Sequence, residues 1–223
     1  MNMRTASEPD SAGFVLAGGQ SSRMGRDKAL LEFAGRPLVE RALAILQQAG
    51  LPAKIAGAVP SARASLEAYA PIVEDATPGL GPLSGICAAL ATTSARHAVF
   101  LPVDLPLLPP SLLVFLLRHA QMTGAAVTIP SLSGFMQTFP AVIDRAALPA
   151  LQNVLGSGRY GCYAAFKAAA AALGRPLASV AVEILAQSGQ VSDPRGLPAI
   201  RWFLNLNAPD DLVCADALQS VHD

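Results

Sequence analysis

Apolar runs of about five residues alternate, almost from the start of the chain, with longer stretches whose apolar positions recur three and four apart. Gly13 to Ala17 is a short apolar run stopped by Gly18-Gly19, the mark of a buried strand feeding a tight loop. Pro37 then opens a helix in which Leu38, Val39, Ala42, Leu43, Ile45 and Leu46 share one face, and Gly50 closes it. The same reading predicts a strand at Lys54 to Val59, a helix at Ser61 to Tyr69, a short strand at Pro71 to Val73 and a helix at Gly85 to Thr92. His97 to Pro102 is a further strand, Ser111 caps a helix running to about Met122, and Ala125 to Ile129 is the next strand. Beyond Pro130 the pattern loosens: an extended piece from Phe135 to Ile143, helices from Asp144 to Leu155 and Tyr160 to Leu173, a last strand at Ile200 to Leu206, and a closing helix from Pro209 to Val221.

This β-α-β-α order predicts an α/β fold: a mostly parallel, twisted, Rossmann-like sheet with helices on both faces. No charge block, linker or repeat divides the chain, so residues 13–223 read as a single domain behind a flexible N-terminal extension at residues 1–12. Such sheets bind ligands beyond the carboxyl ends of their strands, which directs attention to the loops after Ala17, Val73 and Leu101.

Composition narrows the classes of ligand. The chain has 223 residues, 52% of them hydrophobic and only 14% charged, and a mean hydropathy of +0.41. Its 16 Lys and Arg balance its 16 Asp and Glu, which argues against a broad basic face for nucleic acid. The most apolar stretch, Ala98 to Leu117, is broken by Pro102, Pro106, Pro109 and Pro110 into pieces too short to span a bilayer, so no membrane association is expected. Met1 to Ala12 has no apolar h-region, and Cys87, Cys162 and Cys214 are scattered and odd in number; both fit a reducing cytoplasm, with the thiols as small buried hydrophobes. His97, His119 and His222 form no metal-ligand spacing.

The scarce charge is concentrated. Four of the 16 cations, Arg23, Arg26, Lys28 and Arg36, fall within fourteen positions at the first loop. There Gly18 and Gly19 free backbone amides to face an anion, and Ser21, Ser22, Arg23 and Lys28 add donors and positive charge, a phosphate-cradling composition. No Gly-x-x-x-x-Gly-Lys-Ser/Thr is present, so the loop is not of the Walker A kind. Asp104, just beyond a buried strand in a proline-rich loop, is placed to hold Mg²⁺ against a triphosphate. Asp75 ends the short strand before a turn, Gly79, Gly81 and Gly85 allow close approach of backbone to a ligand or to a neighbouring element, and Asn205 and Asn207 alternate on one face of the last strand. Gly156 to Gly161 spells a GxGxxG, but the residues before it read as helix where a dinucleotide fingerprint requires a strand.

Leu16-Ala-Gly-Gly-x-Ser-x-Arg-Met-Gly-x-Asp-Lys28 resembles the signature of the MobA-like nucleotidyltransferases, and among them the molybdenum cofactor guanylyltransferases are most similar. Gly81-Pro82-Leu83-Ser84-Gly85, Pro102-Val103-Asp104-Leu105-Pro106 and Asn205-Leu206-Asn207-Ala208-Pro209-Asp210-Asp211-Leu212 match in the same order and carry the resemblance over most of the chain. It implies a fold of the nucleotide-diphospho-sugar transferase type and transfer of GMP from GTP to the phosphate of Mo-molybdopterin. Arg23, Lys28 and Asp104 would be the catalytic residues, with Mg²⁺ on Asp104. Leu16, Ala17, Gly18, Gly19, Ser22, Lys28, Asp75, Gly81 and Asp104 would bind the nucleotide, and Asn205 and Asn207 the acceptor. Molybdoenzyme chaperones or other cofactor-synthesis proteins are the implied partners. The sequence departs from the family at Ile55-Ala56-Gly57-Ala58-Val59, where a side-chain amide near the base is usual, and matches only loosely at Met136-Gln137-Thr138-Phe139-Pro140. Cytidylyl transfer to the same pterin, NTP transfer to a sugar or polyol phosphate and, through Gly156 to Gly161, an NAD(P)-binding oxidoreductase are the alternative readings.

Overall fold

The computed structural model describes residues 10–17, 27–58, 60–75, 77 and 79–206. Strand β1 (Ser11–Leu16) already contains Ser11 and Ala12, so the sheet begins inside the stretch expected to be an N-terminal extension. A 3-10 turn (Lys28–Leu30) and a hairpin of β2 (Glu32–Phe33) and β3 (Arg36–Pro37) lead into α1 (Leu38–Gln48). There follow β4 (Ala53–Ala56), a 3-10 turn (Pro60–Ala62), α2 (Arg63–Leu66), α3 (Pro82–Thr92), β5 (His97–Pro102), α4 (Pro110–Thr123), β6 (Val127–Leu132), β7 (Phe135–Met136) and β8 (Ala141–Asp144). A 3-10 turn (Arg145–Ala147), α5 (Leu148–Gly156), α6 (Cys162–Leu173), β9 (Leu177–Ala181), α7 (Val182–Gln187) and α8 (Ala199–Trp202) complete the described elements.

The main sheet has seven strands in the order β4-β1-β5-β8-β6-β7, with β9 also pairing β6. β4, β1 and β5 are mutually parallel, and so are β6 and β9. β8 runs antiparallel to both β5 and β6, so those two point the same way and the expected mostly parallel sheet is what forms. Alternation along each strand divides the core into two layers. Val15, Ile55, Val99, Leu101 and Val142 pack with α1 and α4 on one face, while Phe14, Leu16, Phe100, Ile129 and Ile143 pack with α3, α5 and α6 on the other. Phe14 and Phe100 stack with centroids 5.4 Å apart.

Four expectations change. Pro71 to Val73 is not a strand but a single bridge of Ile72 to Ile55, because only one residue pairs before the chain turns away. The helix expected from Ser61 shrinks to a 3-10 turn and the four residues of α2. Ser111 does not cap α4: Pro109 takes the cap position and Pro110 the first turn, where a missing N–H matters least. The Ser111 hydroxyl instead donates to the Ser192 carbonyl at 2.7 Å. Finally, Ile200 to Leu206 is not a strand but the single turn α8 followed by irregular chain, in which buried Trp202 donates from Nε1 to the Leu197 carbonyl at 2.8 Å. The closing helix expected at Pro209 to Val221 lies outside the described residues. Among the described residues no helix is long and apolar enough to cross a membrane.

Candidate active site

From β1 the chain crosses to β4 on one side, while β5 lies on the other, so the strand order reverses between β1 and β5. Connections leaving in opposite directions open a crevice at the carboxyl ends of such a strand pair. The rim is knit by backbone: Val103 donates its N–H to the Leu16 carbonyl at 3.2 Å, and Ala17 donates to the Ala56 carbonyl at 3.0 Å.

Lys28 reaches this crevice from a braced turn. The Asp27 carboxylate caps the turn by accepting from the Ala29 N–H at 2.9 Å, and Leu31 donates to the Lys28 carbonyl at 3.2 Å. Ala29 and Phe33 are fully buried beneath it. Arg41, one turn into α1, donates from Nε to the Phe33 carbonyl at 2.6 Å and from Nη2 to the Ala34 carbonyl at 3.0 Å, with its guanidinium 4.7 Å from the Phe33 ring centre. Across the crevice Asp104 stands two residues beyond β5, its backbone carbonyl accepting from the Leu206 N–H at 3.2 Å. Lys28 Nζ lies 2.9 Å from Asp104 Oδ2, and the two side chains are only 22% and 25% exposed. Residues 76 apart in sequence are thus joined at the switch point.

Asp75 lies beyond the Ile72 bridge to β4, at the carboxyl end of that strand. Its Oδ1 accepts from the Thr77 N–H at 2.9 Å and from the hydroxyl of buried Ser84 at 2.7 Å, so it ties its own turn to the first turn of α3. Gly81 precedes α3 with φ +82°, a left-handed conformation that disfavours a side chain. Gly85 serves packing: a Cβ there would stand 2.9 Å from both Cα and N of Gly57, just past β4. Asn205 is exposed, on the irregular chain that hydrogen-bonds Asp104 rather than on a strand. Gly18, Gly19, Ser22, Arg23 and Asn207 lie outside the described residues.

The sequence reading gave no role to Asp27 or Arg41. An Asp directly before Lys28 is a recognisable capping signal. Arg41 carries none, because the carbonyls it holds belong to a hairpin whose fold is not written in neighbouring residues.

Burial, with the Asp75 carboxylate, pushes the Cys87 thiol up to about 11, and burial pushes Cys162 up to about 12, so both are thiols rather than nucleophiles near neutrality. Asp144 ends the interior strand β8 at the opposite end of the sheet from the crevice, paired in register with His97 at the start of β5. Burial opposes its charge, but the Ala146 N–H and the Arg175 guanidinium, 2.7 Å away, hold its carboxyl below the usual range. The GxGxxG at Gly156 to Gly161 connects α5 to α6, so the strand a dinucleotide fingerprint requires is not there.

Residues 13–172 match the MobA-like NTP transferase domain. The chain belongs to that family. It is 47% identical over 111 residues to the molybdenum cofactor guanylyltransferase of Xanthomonas euvesicatoria pv. vesicatoria, an alignment covering 49% of this chain and 54% of that protein. It is 31% identical over 206 residues, 90% of each chain, to the probable molybdenum cofactor guanylyltransferase of Haloferax mediterranei. The crystal structure of molybdopterin-guanine dinucleotide biosynthesis protein A from Archaeoglobus fulgidus superposes with a TM-score of 0.76 at 22% identity, covering 94% of this chain and 99% of that one. That likeness extends the MobA-like assignment to the fold, which is of the nucleotide-diphospho-sugar transferase type.

Proposed function

We propose that this protein transfers GMP from GTP to the phosphate of Mo-molybdopterin, forming molybdopterin guanine dinucleotide and pyrophosphate. The observation that carries the reading is the approach of Lys28 to Asp104 at the switch point, which unites the two ends of a phosphate site in a MobA-like chain. Lys28, Arg23 and the amides of Gly18 and Gly19 bind the triphosphate and offset charge on the α-phosphate and the departing pyrophosphate. In this reading Leu16, Ala17, Ser22, Asp75 and Gly81 bind the nucleotide, and Asn205 and Asn207 the acceptor. The acceptor phosphate oxygen attacks the α-phosphorus in line: its bond to phosphorus forms as the bridging bond to the β-phosphate breaks, and pyrophosphate leaves. An ionised phosphate needs no protein nucleophile, in keeping with the two protonated, buried cysteines.

Among the described residues no three of His, Cys, Asp or Glu form a metal cage. One carboxylate at a crevice mouth nonetheless suits Mg²⁺, which takes one or two carboxylates and fills its remaining positions with substrate phosphates and water. Asp104 would hold it, and the ion would supply charge neutralisation on the phosphates.

The test is a melting-temperature screen with GTP, CTP, ATP, UTP and NAD(P)H in Mg²⁺, followed by pyrophosphate release with Mo-molybdopterin as acceptor. GTP should stabilise the protein most, and Lys28→Ala should lower kcat/KM by at least about a hundredfold with the fold retained. A preference for CTP overturns the guanylyl assignment, and near-normal release from Lys28→Ala overturns the role of the lysine.

A further inference from the structure

We infer that Arg195 is a positioning residue for Asp104: its guanidinium, gripped by the buried carboxylate of Asp193, holds the loop between β5 and α4 that carries Asp104. The inference rests on the nucleotidyl-transfer reading above and adds to it a residue distant in sequence on which the chemistry depends. The loop is poorly equipped to hold itself. Pro106 and Pro109, with Pro102 and Pro110 at its borders, lack the N–H groups that would knit a turn. Leu108 donates back to the Leu105 carbonyl at 3.3 Å, a long bond. Donors from the stretch after α7 take two of the other carbonyls: the Leu206 N–H reaches that of Asp104 at 3.2 Å, and Arg195 Nη2 reaches that of Leu107 at 2.6 Å.

Arg195 is itself fixed. Asp193 accepts from its Nε at 2.9 Å and its Nη2 at 2.5 Å, and from its backbone N–H at 2.7 Å, so the guanidinium is held at two points and cannot swing away from Leu107 without breaking the pair. Val191 and Leu197 are buried on either side, and the Ser111 hydroxyl ties the neighbouring Ser192 carbonyl to α4. The Asp193 side chain is 0% exposed. An ion pair taken this far from water gives little stability that apolar side chains would not give as well. What apolar side chains cannot do is donate to the Leu107 carbonyl, three residues beyond Asp104.

Removing Arg195 alone would strand the Asp193 charge in the interior, and loss of folding would mask any effect on the loop. The comparison is therefore between Asp193→Asn, which keeps the guanidinium for Leu107, and Asp193→Asn combined with Arg195→Met, which removes that donor and leaves no buried charge. The full-length proteins are assayed well below Tm for pyrophosphate release with GTP, Mg²⁺ and Mo-molybdopterin, and without ligands for hydrogen exchange over residues 103–109. Relative to Asp193→Asn, the double variant should lose roughly tenfold or more in kcat with KM for GTP changed by less than about threefold, and residues 103–109 should exchange faster. Lysine at 195 in the same background should recover part of kcat. A double variant whose kcat stays within about twofold of the single one, or whose exchange over 103–109 is unaltered, overturns the inference, whatever the change in Tm. If the double variant does not fold, Asp193→Asn with Arg195→Gln carries the same comparison. Should the parent release no pyrophosphate with GTP, CTP, ATP or UTP, the transfer reading and the inference fall together; release that the double variant matches removes the inference alone.

Discussion

Gly85→Ala separates a glycine that holds the fold from one that makes room for a ligand. The added methyl would stand 2.9 Å from Gly57 Cα, 2.9 Å from Gly57 N and 3.4 Å from the Ala56 carbonyl carbon, all backbone, so no side-chain rotation relieves it. Either α3 lifts from β4 or the chain after β4 shifts by several tenths of an ångström. Overpacking of this kind costs about 1–3 kcal/mol, and alanine recovers up to about 1 kcal/mol over glycine within a helix. The net loss is therefore up to about 2 kcal/mol, or a fall in Tm of up to roughly 8 °C for a domain of this size. Ser84 moves with Gly85, so its hydroxyl's bond to Asp75, 2.7 Å long, loosens too, and the loss should extend to nucleotide affinity. Differential scanning calorimetry with and without GTP reads both. Gly156→Ala is the internal control: it is the last residue of α5, with nothing within 4 Å of an added Cβ, and should leave Tm unchanged or raised. A Gly85→Ala protein that matches the parent both in Tm and in its stabilisation by GTP would refute the contact between α3 and the end of β4.

The other expectations concern the opposite end of the strands and the lysine's support. His97 is 2% exposed with no hydrogen bond at either ring nitrogen, Nδ1 lying 4.0 Å from Asp10 Oδ2, and burial holds its pKa below 6.5; Asp144 and Asp10 pull it upward, Arg96 and Arg175 downward. As pH falls through 6.5 the unfolded ring takes a proton before the folded one does, so this contribution to stability is complete above that pH and is lost below it, at no more than about 1.4 kcal/mol per pH unit. Tm measured from pH 7 to 5 should decline less steeply in His97→Leu than in the parent, and parallel curves would dismiss the histidine as the cause. Arg41→Ala removes two hydrogen bonds and the contact with the Phe33 ring. Its partial exposure keeps the expected loss to about 1–2 kcal/mol. If the guanidinium positions Lys28, KM for GTP rises by more than kcat falls, and Arg41→Lys recovers part of the affinity; an equal loss in stability with unchanged KM assigns it to the fold alone.

The architecture was legible where hydrophobic period and punctuation agreed. Gly13 to Ala17 and His97 to Pro102 read as buried strands because side chains on both faces are apolar, and both faces are covered. α1 was marked at each end by Pro37 and Gly50 and along its length by an apolar face. Ile200 to Leu206 misled because Ile200, Trp202, Leu204 and Leu206 alternate like a strand. Trp202 decides otherwise: its indole N–H needs an acceptor once buried, and a helical turn brings the Leu197 carbonyl to 2.8 Å. No count of apolar positions registers that requirement. The extended piece ending at Ile143 covers most of β8, but its direction was hidden, since a strand inserted antiparallel between β5 and β6 carries the same apolar signal as a parallel one and direction is set by the connection.

The candidate site divides along similar lines. Glycines, hydroxyls and cations crowded behind a strand identify an anion loop from composition, and an aspartate just past a buried strand identifies its counterpart in charge; neither says that the two meet. Their meeting follows from sheet order, which places β1 beside β5 although 76 residues separate Lys28 from Asp104. Gly81 and Gly85 show the converse, for the sequence marks both as places of close approach and is silent on what approaches. At Gly85 it is the chain's own backbone at Gly57, whereas at Gly81 nothing lies within 4 Å of an added Cβ and the left-handed φ alone accounts for the glycine. Two glycines in one five-residue motif are thus required for different reasons, one by contact and one by conformation. Substitution at Gly85 should act first on stability, and substitution at Gly81 on the geometry with which α3 begins.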